Sequence, residues 1–316
     1  MRTPSERVGT VFAAGAFIVW GVLPLYWNAL SRVAAIEILA HRLLWTSVTV
    51  SVFLIVLRRF RLPQLLRDRA LRPRLFMSGM LLGVNWFIYI FAVNSGRVLD
   101  ASMGYYINPL VSVLLGTIVL GERLTLAHGT AVLIAFAAVV FTVVSEGIVP
   151  WVALVLAGTF GLYGLLKKQL PAAPLNALAA ETSFLVPVGL VIIALRGVSG
   201  TWAFAANESS TIVHVLLLGG AGLVTALPLY LFAEGAARIP LSRIGFLQYL
   251  APTLMLGLGV FVFGEPFTTV QAVTFGLIWS ALLLYSISDM RSRRPTPPRP
   301  PILRNDQKQR DTVPPA

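Results

Sequence analysis

Ten runs of mostly apolar residues follow one another along the chain, with only short polar segments between them. The runs cover residues 8–30, 37–57, 75–95, 101–120, 127–145, 150–166, 176–195, 212–234, 242–263 and 269–287. A helix needs roughly 20 mostly apolar residues to cross the hydrocarbon core of a bilayer, which is about 30 Å thick. The runs therefore predict an all-α integral membrane protein with ten transmembrane helices. The run at 150–166 is the shortest of them.

The positive charge is concentrated in alternate connections between the predicted helices. The formal net charge is +12, and with a cytoplasmic amino terminus 21 of the 25 Lys and Arg residues fall in cytoplasmic segments. This asymmetry follows the positive-inside rule. We therefore predict a multi-pass protein of the plasma (bacterial inner) membrane with both termini in the cytoplasm. The lipid bilayer is the expected partner of the basic segments, and we expect no nucleic-acid partner.

Part of the sequence occurs twice. At a shift of 143 residues, Tyr106 and Pro109 correspond to Tyr249 and Pro252, and upstream the matching shift is 141. Ten helices divide into five and five, and an odd-numbered unit that is repeated once must cross the membrane in opposite orientations. We therefore predict two inverted five-helix repeats, at 1–145 and 146–290, which is a common plan of secondary transporters. A polar tail at 291–316, rich in Pro and Arg, is predicted to be disordered and cytoplasmic.

Proline occurs at matching places in the two copies, at Pro109 and Pro252, and predicts a helix break at each. Proline removes a backbone donor and disfavours helix in the residue before it. Irregular backbone at membrane depth is tolerated only inside protein or along a cavity. We therefore predict a central substrate cavity lined by Trp20, Asn85, Trp86, Tyr106, Asn108, Tyr163, Gln248 and Tyr249. For Asn85 taken alone, an interhelical hydrogen bond is the simpler interpretation.

Four ionisable side chains near the ends of predicted helices are the candidate coupling or gating residues. Glu37 and His41 are four residues apart and share a helix face, while Arg42 is offset by about 100° from His41. Glu181 follows His41 by 140 residues, which places it at the equivalent point of the second copy, near the other membrane surface. Intramembrane His and carboxylate groups often carry protons. A structural ion pair of Glu37 with Arg42 is the alternative.

The sequence lacks the usual signatures of catalysis and metal binding. It has no cysteine, no nucleotide-binding GxxxxGK[ST] pattern, and neither an HExxH nor a GxSxG motif. Its three histidines are scattered over different predicted helices. We therefore expect no enzymatic activity, no metal site and no cofactor.

Seven segments carry a resemblance to a known family. They are EILAHRLLW at 37–45, NWFIYIFAVNSGRVLDASMGYYINPL at 85–110, LGERL at 120–124, FGLYGLLKK at 160–168, ET at 181–182, TALPL at 225–229 and RIGFLQYLAPTLM at 243–255. In these segments the chain resembles the EamA-type carriers of the drug/metabolite transporter superfamily, and within them the RarD branch. The resemblance covers residues 8–287.

The resemblance implies an inner-membrane secondary carrier with a central cavity. The expected substrate is a small organic molecule, either a metabolite or an amphipathic drug, which is exported by alternating access, with or without coupling to protons. The alternative is a membrane protein of the same fold that transports no solute and instead handles lipid or acts as a scaffold. Polar side chains around the two prolines favour the carrier, because a scaffold does not need them.

Overall fold

The computed structural model describes residues 4–120, 126–168, 170–200, 208–236, 238–239 and 247–292. Every regular element in these ranges is helical, which confirms the all-α prediction. All but the first two residues of the tail predicted at 291–316 lie outside the described residues.

The described chain forms eleven helices, one of them only six residues long. In chain order they are α1 (Pro4–Asn28), α2 (Ala35–Val56), α3 (Leu62–Arg67), α4 (Arg72–Asn94), α5 (Val98–Leu120), α6 (Leu126–Glu146), α7 (Trp151–Lys168), α8 (Pro174–Val198), α9 (Glu208–Ala236), α10 (Leu250–Phe261) and α11 (Thr269–Ser292). Eight of them, all except α3, α7 and α10, are long and apolar enough to cross a membrane. The run at 150–166 corresponds to α7, and the described part of the run at 242–263 contains α10; both helices are apolar but shorter.

The two repeated prolines have different places in the helices. Pro109 lies inside α5, which continues through it, so the break predicted at Pro109 does not form. A proline removes one backbone hydrogen bond, and neighbouring groups allow a helix in a bundle to continue past that loss. Pro252 lies in the first turn of α10, where a missing N–H costs nothing. The irregular backbone is therefore found just before Pro252, at Gln248 and Tyr249.

Two pairs of helices that the predicted repeat would make equivalent run antiparallel. At one end of the α2–α8 pair, the Nε atom of Arg196 lies 2.7 Å from Oε2 of Glu37. Further along α2 and earlier in α8, the Oγ atoms of Ser47 and Ser183 are 3.0 Å apart. α5 and α10 are also antiparallel, since Glu265, which follows α10, contacts the first residues of α5.

Most of the close helix packing joins one half of the chain to the other. α1 packs against α9 and α10, α2 against α8 and α9, α4 against α7 and α8, α5 against α7 and α10, and α6 against α11. If α1, α2, α4, α5 and α6 exchange places with α7, α8, α9, α10 and α11, each of these pairings becomes either itself or another of the same set. The two halves therefore interlock rather than sit side by side.

α3 marks one end of the bundle, which we call the α3 end. It is fixed there by Asn176 at the start of α8, whose side chain accepts a hydrogen bond from Arg61 N at 2.8 Å and donates one to Arg59 O at 3.0 Å. The amino-terminal part of α1 lies at the same end, because Gly9 packs against Arg238. The opposite end carries the α1–α2, α4–α5, α6–α7 and α10–α11 connections.

Candidate substrate cavity

A cavity of about 150 Å³ lies between the two halves. Its walls come from α1, α2, α4 and α5 of the first half and from α7, α10 and the turn before α10 in the second. An apolar cavity of similar size in a protein core can hold a molecule about as large as benzene. The cavity can therefore enclose one aromatic ring or a group of similar bulk.

Five of the eight side chains proposed from the sequence line this cavity, and Pro252 lines it with them. The five are Trp20, Asn85, Trp86, Asn108 and Gln248. Asn85 also makes the interhelical contact that was its simpler interpretation. Its Nδ2 donates to Leu156 O at 3.1 Å and to Thr159 Oγ1 at 2.9 Å, both on α7. Asn85 thus joins α4 to α7 at the cavity wall.

The three proposed tyrosines lie elsewhere. Tyr106 faces α10 and α11, where its hydroxyl is 2.6 Å from Thr253 Oγ1 and its ring packs against Phe275. Tyr249 stacks on Tyr106, with ring centroids 6.4 Å apart. Tyr163 reaches the buried carboxylate of Glu181. None of the three is among the residues that line the described cavity.

Tyr105, rather than its neighbour Tyr106, lines the cavity. Consecutive helical residues point about 100° apart, so only one of two adjacent tyrosines can share a face with Asn108, three residues further on. That spacing selects Tyr105, and it could have been read from the sequence. The same periodicity links Trp86 with Tyr89 on α4. The remaining lining residues that were not predicted are apolar: Phe17, Leu23, Phe160, Ala251 and Met255.

Arg42 forms a charged part of the cavity wall. Its side chain is buried, with 4% exposure, and its guanidinium carbon lies 4.8 Å from the centroid of the Trp27 ring and 4.0 Å from that of Trp86. Nε donates to Thr225 Oγ1 at 3.1 Å. The structural pair of Arg42 with Glu37 does not form. Arg42 is instead turned towards α1, α4 and α9, since it lies about 100° around the helix from His41.

A buried carboxylate lies near the α3 end. Glu181 is fully buried and accepts hydrogen bonds from Ser78 Oγ at 2.7 Å, Tyr163 Oη at 3.2 Å and Lys167 Nζ at 2.9 Å. α4, α7 and α8 therefore meet at a single negative charge.

A second buried carboxylate lies at the opposite end. Glu37 is fully buried and is paired with Arg196, and His41, one turn along α2, is buried as well. The bundle thus has one buried acid with a basic partner towards each end. In the described part of the chain, no three His, Cys, Asp or Glu side chains come together in a way that could hold a metal ion.

Glu265 anchors the helix that carries Tyr105 and Asn108. Its carboxylate accepts hydrogen bonds from the backbone N–H groups of Val98 at 2.6 Å and Leu99 at 2.8 Å, which are orphan donors at the start of α5. Burial raises the pKa of the Glu265 carboxyl above its ordinary value, and the two amide hydrogen bonds oppose that rise. Glu265 thus caps α5 from a segment of the other half of the chain.

Comparison with known proteins identifies the family. Residues 7–144 match the EamA-like transporter family. The relative named "Uncharacterized transporter YojE", from Bacillus subtilis (strain 168), is 42% identical over 306 residues, covering 93% of this chain and 98% of its own. "Protein RarD" from Streptomyces exfoliatus is 41% identical over 290 residues, covering 92% and 91%.

A solved crystal structure shares the fold. It matches with a TM-score of 0.58 and 19% identity, covering 91% of this chain and 99% of that chain. Together with the helical bundle described above, these relationships show that the chain belongs to the EamA-like transporter family of the drug/metabolite transporter superfamily, together with proteins named RarD.

Proposed function

We propose that this transporter is a secondary carrier that exports a small organic solute across the bacterial inner membrane through the cavity between its two halves. The observation that carries the proposal is the cavity itself, because both halves contribute amide or aromatic side chains to it. Ligand pockets are typically apolar with a few converging polar groups, which matches this lining. A purely structural membrane protein has no need for such a cavity between its halves.

The proposed mechanism is alternating access between two inverted repeats, at 1–145 and 146–290. Two observations support it. The antiparallel course of α2 against α8 and of α5 against α10 is what an inverted repeat requires. The helix pairings also map onto themselves when the halves are exchanged. In carriers of this plan, one half rocks against the other around a central site.

The proposed orientation places the α3 end in the cytoplasm, with both chain termini. Seven arginines between Arg58 and Arg74 lie at that end, and Lys167 and Arg238 lie near it. The opposite end carries Arg32, Arg97 and Arg196. By the positive-inside rule, this distribution of cations supports the proposed orientation.

We assign the gates to the two buried acids that form ion pairs, Glu37 and Glu181, with His41 beside the first of them. The Glu37–Arg196 pair would close the end away from α3, and the Glu181–Lys167 pair would close the α3 end. Protonation of either carboxylate removes its negative charge and weakens its ion pair, so a proton gradient can act on the gates. Coupling to protons is therefore the energy source that we propose.

The test is transport by the purified full-length protein in proteoliposomes, with a panel of neutral, anionic and cationic aromatic solutes and an imposed pH gradient. We expect at least one solute to move, and we expect the gradient dependence to disappear in His41→Ala and Glu181→Gln. Arg67→Gln, at an exposed position on α3, is the matched control. Movement of labelled lipid without movement of any organic solute would overturn the carrier. Solute movement that ignores the gradient would remove only the proton coupling.

A further inference from the structure

Arg42 carries a positive charge into the cavity wall without a negative partner in the described structure. A guanidinium has five N–H donors and stays protonated in proteins. Of these donors, only Nε has an acceptor among the described residues, namely Thr225, and Nη1 is buried without one. Burying a charge is costly unless that charge is paired. A buried cation that is unpaired among the described residues is therefore expected to bind an anionic partner from elsewhere.

The buried acids of the described chain are all engaged elsewhere. Glu37 is paired with Arg196 and Glu181 with Lys167, while Glu265 accepts from two backbone amides. Arg42 makes no ion pair with any of them. The missing partner of Arg42 is therefore not a carboxylate of the described residues.

The surroundings of Arg42 fix its orientation and leave Nη2 as the accessible guanidinium nitrogen without a partner among the described residues. Trp27 and Trp86 lie against the guanidinium, at 4.8 and 4.0 Å from ring centroid to guanidinium carbon, and Thr225 holds its Nε edge. The remaining donors belong to the two NH₂ groups. Nη1 is enclosed, so Nη2 is the NH₂ nitrogen that a carboxylate oxygen can reach in a charge-assisted hydrogen bond. A Lys at this place would supply a similar charge but neither the planar guanidinium nor the aromatic stacking.

We infer that the substrate is a small organic anion whose carboxylate binds Arg42 through its accessible Nη2 and whose aromatic or apolar body fills the cavity. The body would lie among rings such as Tyr105 and Phe160, and the amides of Asn108 and Gln248 are available to a second polar group. A cavity of about 150 Å³ holds one ring, so the preferred anions are small. An organic cation is disfavoured, because it would place a like charge beside Arg42. This inference rests on the proposed carrier function and specifies its substrate class.

The test compares carboxylic acids with their neutral amides in binding and in transport. The probes are benzoate and benzamide, phenylacetate and phenylacetamide, and indole-3-acetate and indole-3-acetamide, with benzylamine as the cation. Binding to the full-length protein is followed by isothermal titration calorimetry, since the indole probes themselves fluoresce where tryptophan does. Transport is followed in proteoliposomes. We expect at least one acid to bind at least about tenfold more tightly than its amide and to be transported in preference to it.

Variants at Arg42 separate a binding role from a structural one. Arg42→Lys keeps the charge, and we expect it to fold and to weaken binding of the acid at least about tenfold. Arg42→Met should weaken it at least about 30-fold without changing the weak binding of the amide. Arg67→Gln, which removes an exposed arginine far from the cavity, should bind as the unaltered protein does. Size-exclusion chromatography in detergent checks folding, and Arg42→Lys alone carries the test if Arg42→Met does not fold.

The failures are distinguishable. Amides or benzylamine bound and transported as well as the acids, or acid binding unchanged in folded Arg42→Lys, would overturn the anion assignment and leave the carrier in place. Transport of a neutral or cationic solute with no acid bound would do the same. Failure of every probe to move, while labelled lipid does, would overturn the carrier itself.

Discussion

Replacing Glu181 with Gln should destabilise the bundle through the loss of one buried charge. The change keeps the shape of the side chain but removes the negative charge on which Ser78, Tyr163 and Lys167 converge. Glu181 is fully buried, and the Lys167 side chain is only 21% exposed. The Lys167 ammonium is therefore only partly hydrated, and water would replace its lost partner incompletely.

The magnitude follows from these contacts. Hydrogen bonds to charged groups contribute about 1.5–3 kcal/mol each, and removing one member of a buried ion pair costs about 3–5 kcal/mol. Because Lys167 keeps part of its hydration, we expect the low end of that range. A loss of about 3 kcal/mol lowers the ratio of folded to unfolded protein by a factor on the order of 100.

A double-mutant cycle measures this loss and tests its cause. The unfolding free energy in detergent is compared for the unaltered protein, Glu181→Gln, Lys167→Met and the double variant. Since the double variant leaves neither charge unpaired, it should lose less than the sum of the single variants, with a coupling energy of about 2 kcal/mol. Glu234→Gln, which breaks the pair with Arg238 whose side chains are about one-third exposed, is the control and should cost less than about 1 kcal/mol. Additive single effects, or a Glu181→Gln loss no larger than that of the control, would refute the reasoning.

Three further predictions concern packing, pH and topology. A methyl group added at Gly222 would overlap the carbonyl oxygen of Trp45, whereas at Gly219 nothing lies within 4 Å. Gly222→Ala should therefore lower Tm and Gly219→Ala should not; equal Tm values would contradict the α2–α9 packing. The pKa of the Glu265 carboxyl is raised in the folded protein. The stabilisation that results from this shift is fully present below the ordinary pKa of 4.5 and is lost as the pH rises through the folded-state pKa. Glu265→Gln should flatten the fall of Tm between pH 4 and 7, and an unchanged pH profile would argue against that shift. The chain has no cysteine, so Arg67→Cys and Arg32→Cys report topology directly. An impermeant thiol reagent added to whole cells should label only the second, and labelling of both or of the first alone would contradict the proposed orientation.

The helices and the family could be predicted from the sequence, because both depend on local signals. An apolar run near 20 residues long has few alternatives in a bilayer, and the all-helical bundle follows from it. α10 shows the limit of this argument. Its run at 242–263 is long enough to span. Among the residues of this run that the structure describes, 247–263, a turn at Gln248 and Tyr249 precedes the helix Leu250–Phe261. Apolar composition does not reveal where such an interruption lies.

The cavity was predicted in part, and the misplaced residues share a physical cause. The choice of Tyr106 instead of Tyr105 assigned the wrong face of α5 to the cavity. The three-residue spacing from Tyr105 to Asn108 places those two residues on one face of the helix. The partners of Arg42 and Glu37 could not be predicted, since Thr225 and Arg196 are 183 and 159 residues away. Sequence spacing describes one helix at a time, whereas ion pairing in a bundle is decided by which helices touch.

The arrangement of α2 and α8 connects the substrate site to both proposed gates. α2 carries Glu37 towards one end and Arg42 at the cavity, and α8 carries Arg196 and Glu181. These helices pack closely: a Cβ atom added at Gly189 of α8 would lie only 3.1 Å from the carbonyl oxygen of Ala40 on α2. A tightly packed pair moves by small sliding or rocking displacements rather than by local bending. A displacement that separates Glu37 from Arg196 therefore also shifts Arg42.

Coupling between two sites is reciprocal in free energy, so if anion binding at Arg42 favours one gate state, weakening a gate must change anion affinity by the same factor. Glu37 does not line the cavity. The variant Glu37→Gln should nevertheless alter the affinity for the preferred acid. Unchanged affinity in a folded Glu37→Gln protein would separate the gate from the site.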